Sequence, residues 1–202
     1  TMADNTVKYK TMILERTVYD NTKALIDFAQ GSHEIDTSLS DNASELKRIL
    51  RCIDDVVSHQ EYVLDSLIVT ASCSPEGSYA HNSILASSRS ESMRRYVWDY
   101  VPEEWRDKVR TAHVPENWTQ LMKIVANDTL LTASAKEKIL EHSADSGKPD
   151  DAEKRISLMP EYRYLREKIY PQLRSVSFDF HLHRAGMQKD TVHTTELDTM
   201  YM

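Results

Sequence analysis

The sequence predicts an α+β domain, with helices layered on one mixed sheet and a helical insertion before the last core strand. Three observations lead there. Leu46, Ile49, Leu50, Ile53 and Val57 recur at helical spacing between two stretches of strand character. A second helical pattern, Leu85, Met93, Tyr96, Val97 and Tyr100, follows the second of those stretches after a short polar loop. Much later, residues 176–183 alternate: Val176, Phe178, Phe180 and Leu182 share one face, while Ser177, Asp179, His181 and His183 share the other.

In chain order, Val7 to Val18 alternates loosely and reads as a strand or extended lead-in, with Val7, Tyr9, Thr11 and Ile13 on one side. Residues 24–29 (Ala-Leu-Ile-Asp-Phe-Ala) read as a strand ended by Gly31-Ser32. Asn42 and Glu45 have the spacing of a capping box ahead of the first helix. Leu64 to Ala71 is the next strand, with Leu67, Val69 and Ala71 on one face; Ser72 to Tyr79 is a loop into the second helix. A right-handed crossover predicts that the strands at 24–29 and 64–71 are parallel neighbours with both helices on one face. Two strands do not stand alone, so Val176 to His183 joins them, and Lys108 to Val114 reads as a further strand.

Between these lies the helical insertion. Trp118, Leu121, Met122 and Val125 mark one helix after Pro115, and Ser134 with Glu137 resembles a capping box before Ile139 and Leu140. Ser143 to Asp151 reads as a polar hinge containing Gly147 and Pro149; Tyr162, Leu165, Ile169 and Leu173 mark a last helix bent or ended near Pro171. The expected divisions are a lead-in over 1–23, a core over 24–114, the insertion over 115–174, the last core strand over 175–185, and a polar tail or the start of a following domain over 186–202. The opening Thr1-Met2-Ala3 and the ending at Met202 are expected of a piece of a longer protein.

Composition narrows the function. The 202 residues are 40% apolar and 8% aromatic, enough for a real core, and the formal charge of -7 argues against a nucleic-acid partner. No apolar run reaches the roughly 20 residues of a membrane-spanning helix. Cys52 and Cys73 have no zinc spacing; a bridge between them would need Cα atoms within about 7 Å. His181 and His183 share a strand face but lack a third ligand, which favours a solvated face over a metal. There is no nucleophile elbow, no phosphate loop and no dinucleotide fingerprint, so a non-enzymatic reading with no cofactor is expected.

One segment is informative beyond its fold. After the strand at 64–71 come Ser74-Pro75-Glu76-Gly77-Ser78, then Asn82, Leu85 and Arg89 on the following helix. The order strand, Gly-containing loop, Asn, Leu, Arg resembles the hallmark of OmpA-like (outer membrane protein A C-terminal) domains, and residues 24–100 resemble their β-α-β-loop-α frame. The loop, together with Glu116-Asn117-Trp118 and the stretch from Tyr162 to Arg174, looks like a Bacteroidales-type branch of that family. The resemblance implies a β-α-β-α-β arrangement of helices on one mixed sheet. It also implies a place in the Gram-negative periplasm or at the outer membrane, and binding to peptidoglycan, whose diaminopimelate is held between an Asp and an Arg. A guanidinium grips a carboxylate bidentately, and an Asp pairs with the ammonium of the same zwitterion.

Arg89, Asn82, Ser74, Glu76 and Gly77 are therefore the candidate ligand-binding residues. Ser74 stands where the family carries its Asp, and a hydroxyl does not replace a negative charge; losing such a contact costs about 1.5–3 kcal/mol. Glu76, two residues on, is either the replacement or a solvated loop carboxylate. Arg89 either faces the ligand or pairs with Glu91 or Asp99 on its own helix. Asn82 reads better as a group that orders the loop than as a ligand contact, and Gly77 as a residue of backbone geometry. The alternative function is a structural or assembly scaffold of the outer membrane or surface appendages that binds a protein partner. Oligomeric state is not legible.

Overall fold

Strands Lys8–Ile13 (β1), Thr22–Ala24 (β2), Tyr62–Ser72 (β3), Val109–Val114 (β4), Ser175–Arg184 (β5) and Thr191–Glu196 (β6) are interspersed with helices. The helices are Asn42–Ser58 (α1), Tyr79–Val97 (α2), Trp118–Asn127 (α3), Ala133–Ala144 (α4), Pro149–Ser157 (α5) and the short Tyr162–Tyr164 (α6). A computed structural model describes residues 8–13, 22–29, 31–144, 147–185 and 191–196, with side chains over 24–29, 31–144, 147–183 and 185. The main sheet has the order β2-β5-β3-β4; β3 and β4 are parallel and the other pairs antiparallel, so the fold is α+β with a mixed sheet. β1 and β6 pair antiparallel as a separate two-stranded sheet.

β3 is the organising strand. Leu64, Leu67, Val69 and Ala71 are buried, although strict alternation would put Leu64 and Leu67 on opposite faces. A β-bulge between Leu64 and Ser66 inserts the extra residue that returns both to the core. Val176, Phe178, Phe180 and Leu182 of β5 face the same layer. Leu46, Ile49, Ile53 and Val56 of α1 and Met93 and Val97 of α2 belong to that one cluster, which places both helices on one side of the sheet. The other face holds exposed His181 and His183, and His183 Nδ1 lies 2.8 Å from Asp65 Oδ1.

Several sequence expectations change. The strand expected over 24–29 stops at Ala24 because the next amides bond to α1 instead: Leu25 N–H donates to Glu45 and Asp27 N–H to Asn42 Oδ1. Asn42 and Glu45 are thus occupied in holding this segment, and no capping box forms. β2 and β3 run parallel but are not neighbours, since β5 inserts between them; a later strand displaced the direct pairing that a simple crossover predicts. The expectation for Val7 and for residues 14–18 lies outside the described residues.

The insertion has its own apolar cluster, built around Leu121, Val125, Ile139, Ile156, Leu165, Ile169 and Leu173. α4 is capped by Thr132, whose Oγ1 accepts from Ala135 N–H, so Ser134 and Glu137 make no capping box. The hinge expected over 143–151 overlaps two helices: α4 runs to Ala144 and α5 begins at Pro149, a first-turn position where a missing N–H costs nothing. After α6 the chain passes through a π-turn over Leu165–Ile169 and a 3-10 turn over Tyr170–Leu173, ahead of and around Pro171, and then enters β5. No disulfide joins Cys52 and Cys73.

Candidate functional site

β3 and β4 are parallel, so both deliver loops at the same edge. The two loops are tied: Cys73 N–H donates to Val114 C=O at 3.2 Å and Asn117 N–H to Cys73 C=O at 3.1 Å. α2 then starts with Ser78 as its cap, the hydroxyl accepting from His81 N–H. Gly77 precedes it at φ +91°, a left-handed conformation that only glycine adopts without strain.

Asn82, on the first turn of α2, is buried and donates through Nδ2 to the carbonyls of Ser74 and Glu76 and to Glu116 Oε1. It orders the loop and holds the β4–α3 connection against it. Burial pushes the Glu116 carboxyl up, against the pull of Asn82 and of Trp118 Nε1–H at 2.8 Å.

Two turns further along α2, Arg89 is 5% exposed. Its guanidinium lies 4.5 Å from the centre of the Phe28 ring; Nε donates to Ser32 C=O and Nη1 approaches Cys73 Sγ at 3.4 Å. Glu91, one of its expected helix partners, instead pairs with Arg94 and Arg95. Among the described residues no carboxylate forms an ion pair with Arg89. Burial lowers its pKa, as expected for a cation taken from water without a counter-ion. Burial likewise pushes the Cys73 thiol up despite the neighbouring guanidinium.

Glu76 has the opposite environment. Its Oε1 accepts from Arg166 Nε at 2.8 Å, and its Oε2 from Arg174 Nη2 at 2.6 Å and Ser74 Oγ at 3.2 Å. Burial alone raises this carboxyl, but the two guanidiniums outweigh it and hold the group below the ordinary range. Ser74 is buried and also accepts from Arg174 Nε at 3.4 Å. Glu76 is therefore neither a solvated loop carboxylate nor a free one.

Ser74, Glu76, Gly77, Asn82 and Arg89 line one cavity of about 580 Å³, together with Leu85, Phe28 and Cys73 and with Tyr162, Arg166 and Arg174. The last three belong to the insertion. Asp150 of α5 pins it to α2 by accepting from Tyr79 N–H at 2.7 Å. Behind Tyr162, the buried Glu153 accepts from the hydroxyls of Tyr162 and Tyr170 at 2.8 and 2.7 Å, and burial pushes its carboxyl up to about 7. Sequence reasoning missed Arg166, Arg174, Glu116 and Phe28 as parts of the site. Tyr162 to Arg174 stood in the stretch that resembles the family, yet no spacing links it to residues about ninety positions earlier.

No family model matches the chain. No curated protein matches it either. Among solved structures, the OmpA-like domain of FopA1 from Francisella tularensis subsp. tularensis SCHU S4 is similar at 11% identity, covering 94% of this chain and 86% of that one with a TM-score of 0.39.

Proposed function

We propose that this chain is a non-catalytic binding module of OmpA-like type, working in the Gram-negative cell envelope, and that its ligand presents a carboxylate to Arg89. The observation that carries the reading is a buried guanidinium with no carboxylate partner among the described residues, lining a cavity large enough for a small ligand. A cation so placed is stabilised by an incoming anion through charge-assisted, bidentate hydrogen bonds. The residues that carry the sequence resemblance, Gly77, Asn82, Leu85 and Arg89, all line that cavity, which supports carrying the family's ligand class, peptidoglycan stem peptides, to this chain. The Bacteroidales-type placement rests on the Ser-Pro-Glu-Gly-Ser loop and the Tyr162 to Arg174 stretch. The non-catalytic part is supported by the state of the groups present: Glu76 is neutralised by two arginines, and burial keeps Cys73 toward its protonated, poorly nucleophilic form.

Calorimetric titration of the protein with a diaminopimelate-containing muropeptide tests this. Heat should saturate, and Arg89→Met should weaken binding at least about tenfold, the equivalent of one charge-assisted contact. Leucines Leu130 and Leu158, 77% and 81% exposed on the insertion, favour a second reading in which this region docks a protein of the envelope. Retained partner capture by a Leu130→Ser, Leu158→Ser double variant would remove that reading.

A further inference from the structure

We propose that the cavity selects a dianionic ligand without an ammonium group, a dicarboxylate being the class that it fits. The inference rests on the reading of this cavity as the ligand site. Its lining sets three guanidiniums, Arg89, Arg166 and Arg174, against one carboxylate, Glu76. Both oxygens of that carboxylate are engaged, Oε1 by Arg166 and Oε2 by Arg174 and Ser74. A ligand ammonium seeking Glu76 would lie against two guanidiniums that already outnumber its charge, and like charges at such range repel. Ser74 offers only a hydroxyl, and that hydroxyl is directed at Glu76.

Anions meet the opposite situation. Arg89 takes the first carboxylate. Among the described residues, Arg166 commits Nε to Glu76, and Arg174 commits Nε and Nη2 to Ser74 and Glu76. Each fork has further N–H groups, and these are the donors for a second anionic group. The carboxylates behind the walls do not reverse the balance, because Glu116 and Glu153 are buried, tied to their own donors and shifted toward their neutral forms.

Three probes separate this inference from the reading beneath it: a diaminopimelate muropeptide, the same muropeptide N-acetylated at the diaminopimelate amine, and pimelate. Acetylation removes the ammonium and keeps the carboxylates, so it should tighten binding by about threefold or more, a gain of at least about 0.6 kcal/mol. Pimelate should bind in an Arg89-dependent way. Weaker binding after acetylation overturns the selectivity while leaving the module's ligand reading intact. Pimelate binding without either muropeptide supports the selectivity and removes the cell-wall ligand. No binding by any probe overturns both. Arg166→Gln, at a side chain 58% exposed and so safe for folding, frees Glu76 Oε1 and should shift preference toward the free ammonium. An unchanged preference in that variant counts against the inference.

Discussion

The wall of the cavity built by β3 and α2 is held mainly by hydrogen bonds to backbone carbonyls, whereas the wall built by the insertion is held by ionisable side chains. On the first wall, Asn82 reaches two carbonyls of its own loop and Arg89 reaches the carbonyl of Ser32. On the second, Arg166 and Arg174 meet Glu76, and Tyr162 and Tyr170 meet Glu153. Each wall also stands on a separate apolar cluster. The difference teaches where pH acts. Neutral amide contacts do not titrate, so pH should reshape the cavity through its carboxyls: Glu153 of the insertion, Glu76, and Glu116 where Asn82 holds it.

The largest expected effect breaks the amide side. Asn82→Ala leaves two loop carbonyls and Glu116 without their shared donor, which should cost about 2–3 kcal/mol in urea unfolding. A loss under about 0.5 kcal/mol, the scale of an ordinary surface change, would mean that the loop is ordered by something else.

The second effect lies on the insertion. Glu153 has its folded pKa raised from 4.5 to about 7, so the folded state holds the proton more tightly than the unfolded chain does. Its contribution is therefore fully present below pH 4.5 and is lost as pH rises through about 7, by roughly 3 kcal/mol before solvent screening reduces it. Glu76 runs the other way: its lowered pKa adds stability above the ordinary carboxylate range, lost as pH falls through its folded value. Unfolding curves of Glu153→Gln at pH 5 and pH 8 check the assignment. The variant should lose the wild-type decline between those pH values; an undiminished decline points to another group.

The smallest effect sharpens the sheet side again. Gly77→Ala forces a Cβ into a left-handed backbone where open space surrounds it, the nearest atom being Asn82 Oδ1 at 4.0 Å. Strain alone should then cost about 1 kcal/mol in thermal or chemical unfolding. A cost near 3 kcal/mol would show that the loop cannot relax and that the cavity is stiffer than its hydrogen bonds imply.

Legibility followed sequence distance. β3, α2 and β5 could be read because alternation and helical spacing are local, and the fixed order of Gly77, Asn82, Leu85 and Arg89 spans hardly more than three helical turns. α5 was hidden because its buried set, Ala152, Glu153 and Ile156, offers little apolar signal, and because Pro149 reads as a breaker when it starts the helix. The strand at 24–29 was overestimated because side chains of α1 supply its hydrogen bonds. Arg166 and Arg174 reach Glu76 across ninety and ninety-eight residues, a relation no local pattern encodes.

The sequence by itself determined the α+β class, the strand–loop–helix from Ile68 to Val97 and the presence of Ser74 where a carboxylate was expected, since each is a matter of residue type at short spacing. Only the tertiary structure decided that β5 separates β2 from β3, that Arg89 is buried without an acidic partner among the described residues, and that Glu76 is claimed by two arginines of the insertion. Charge balance in a cavity depends on which distant side chains fold against it, and that is set by packing rather than by order along the chain.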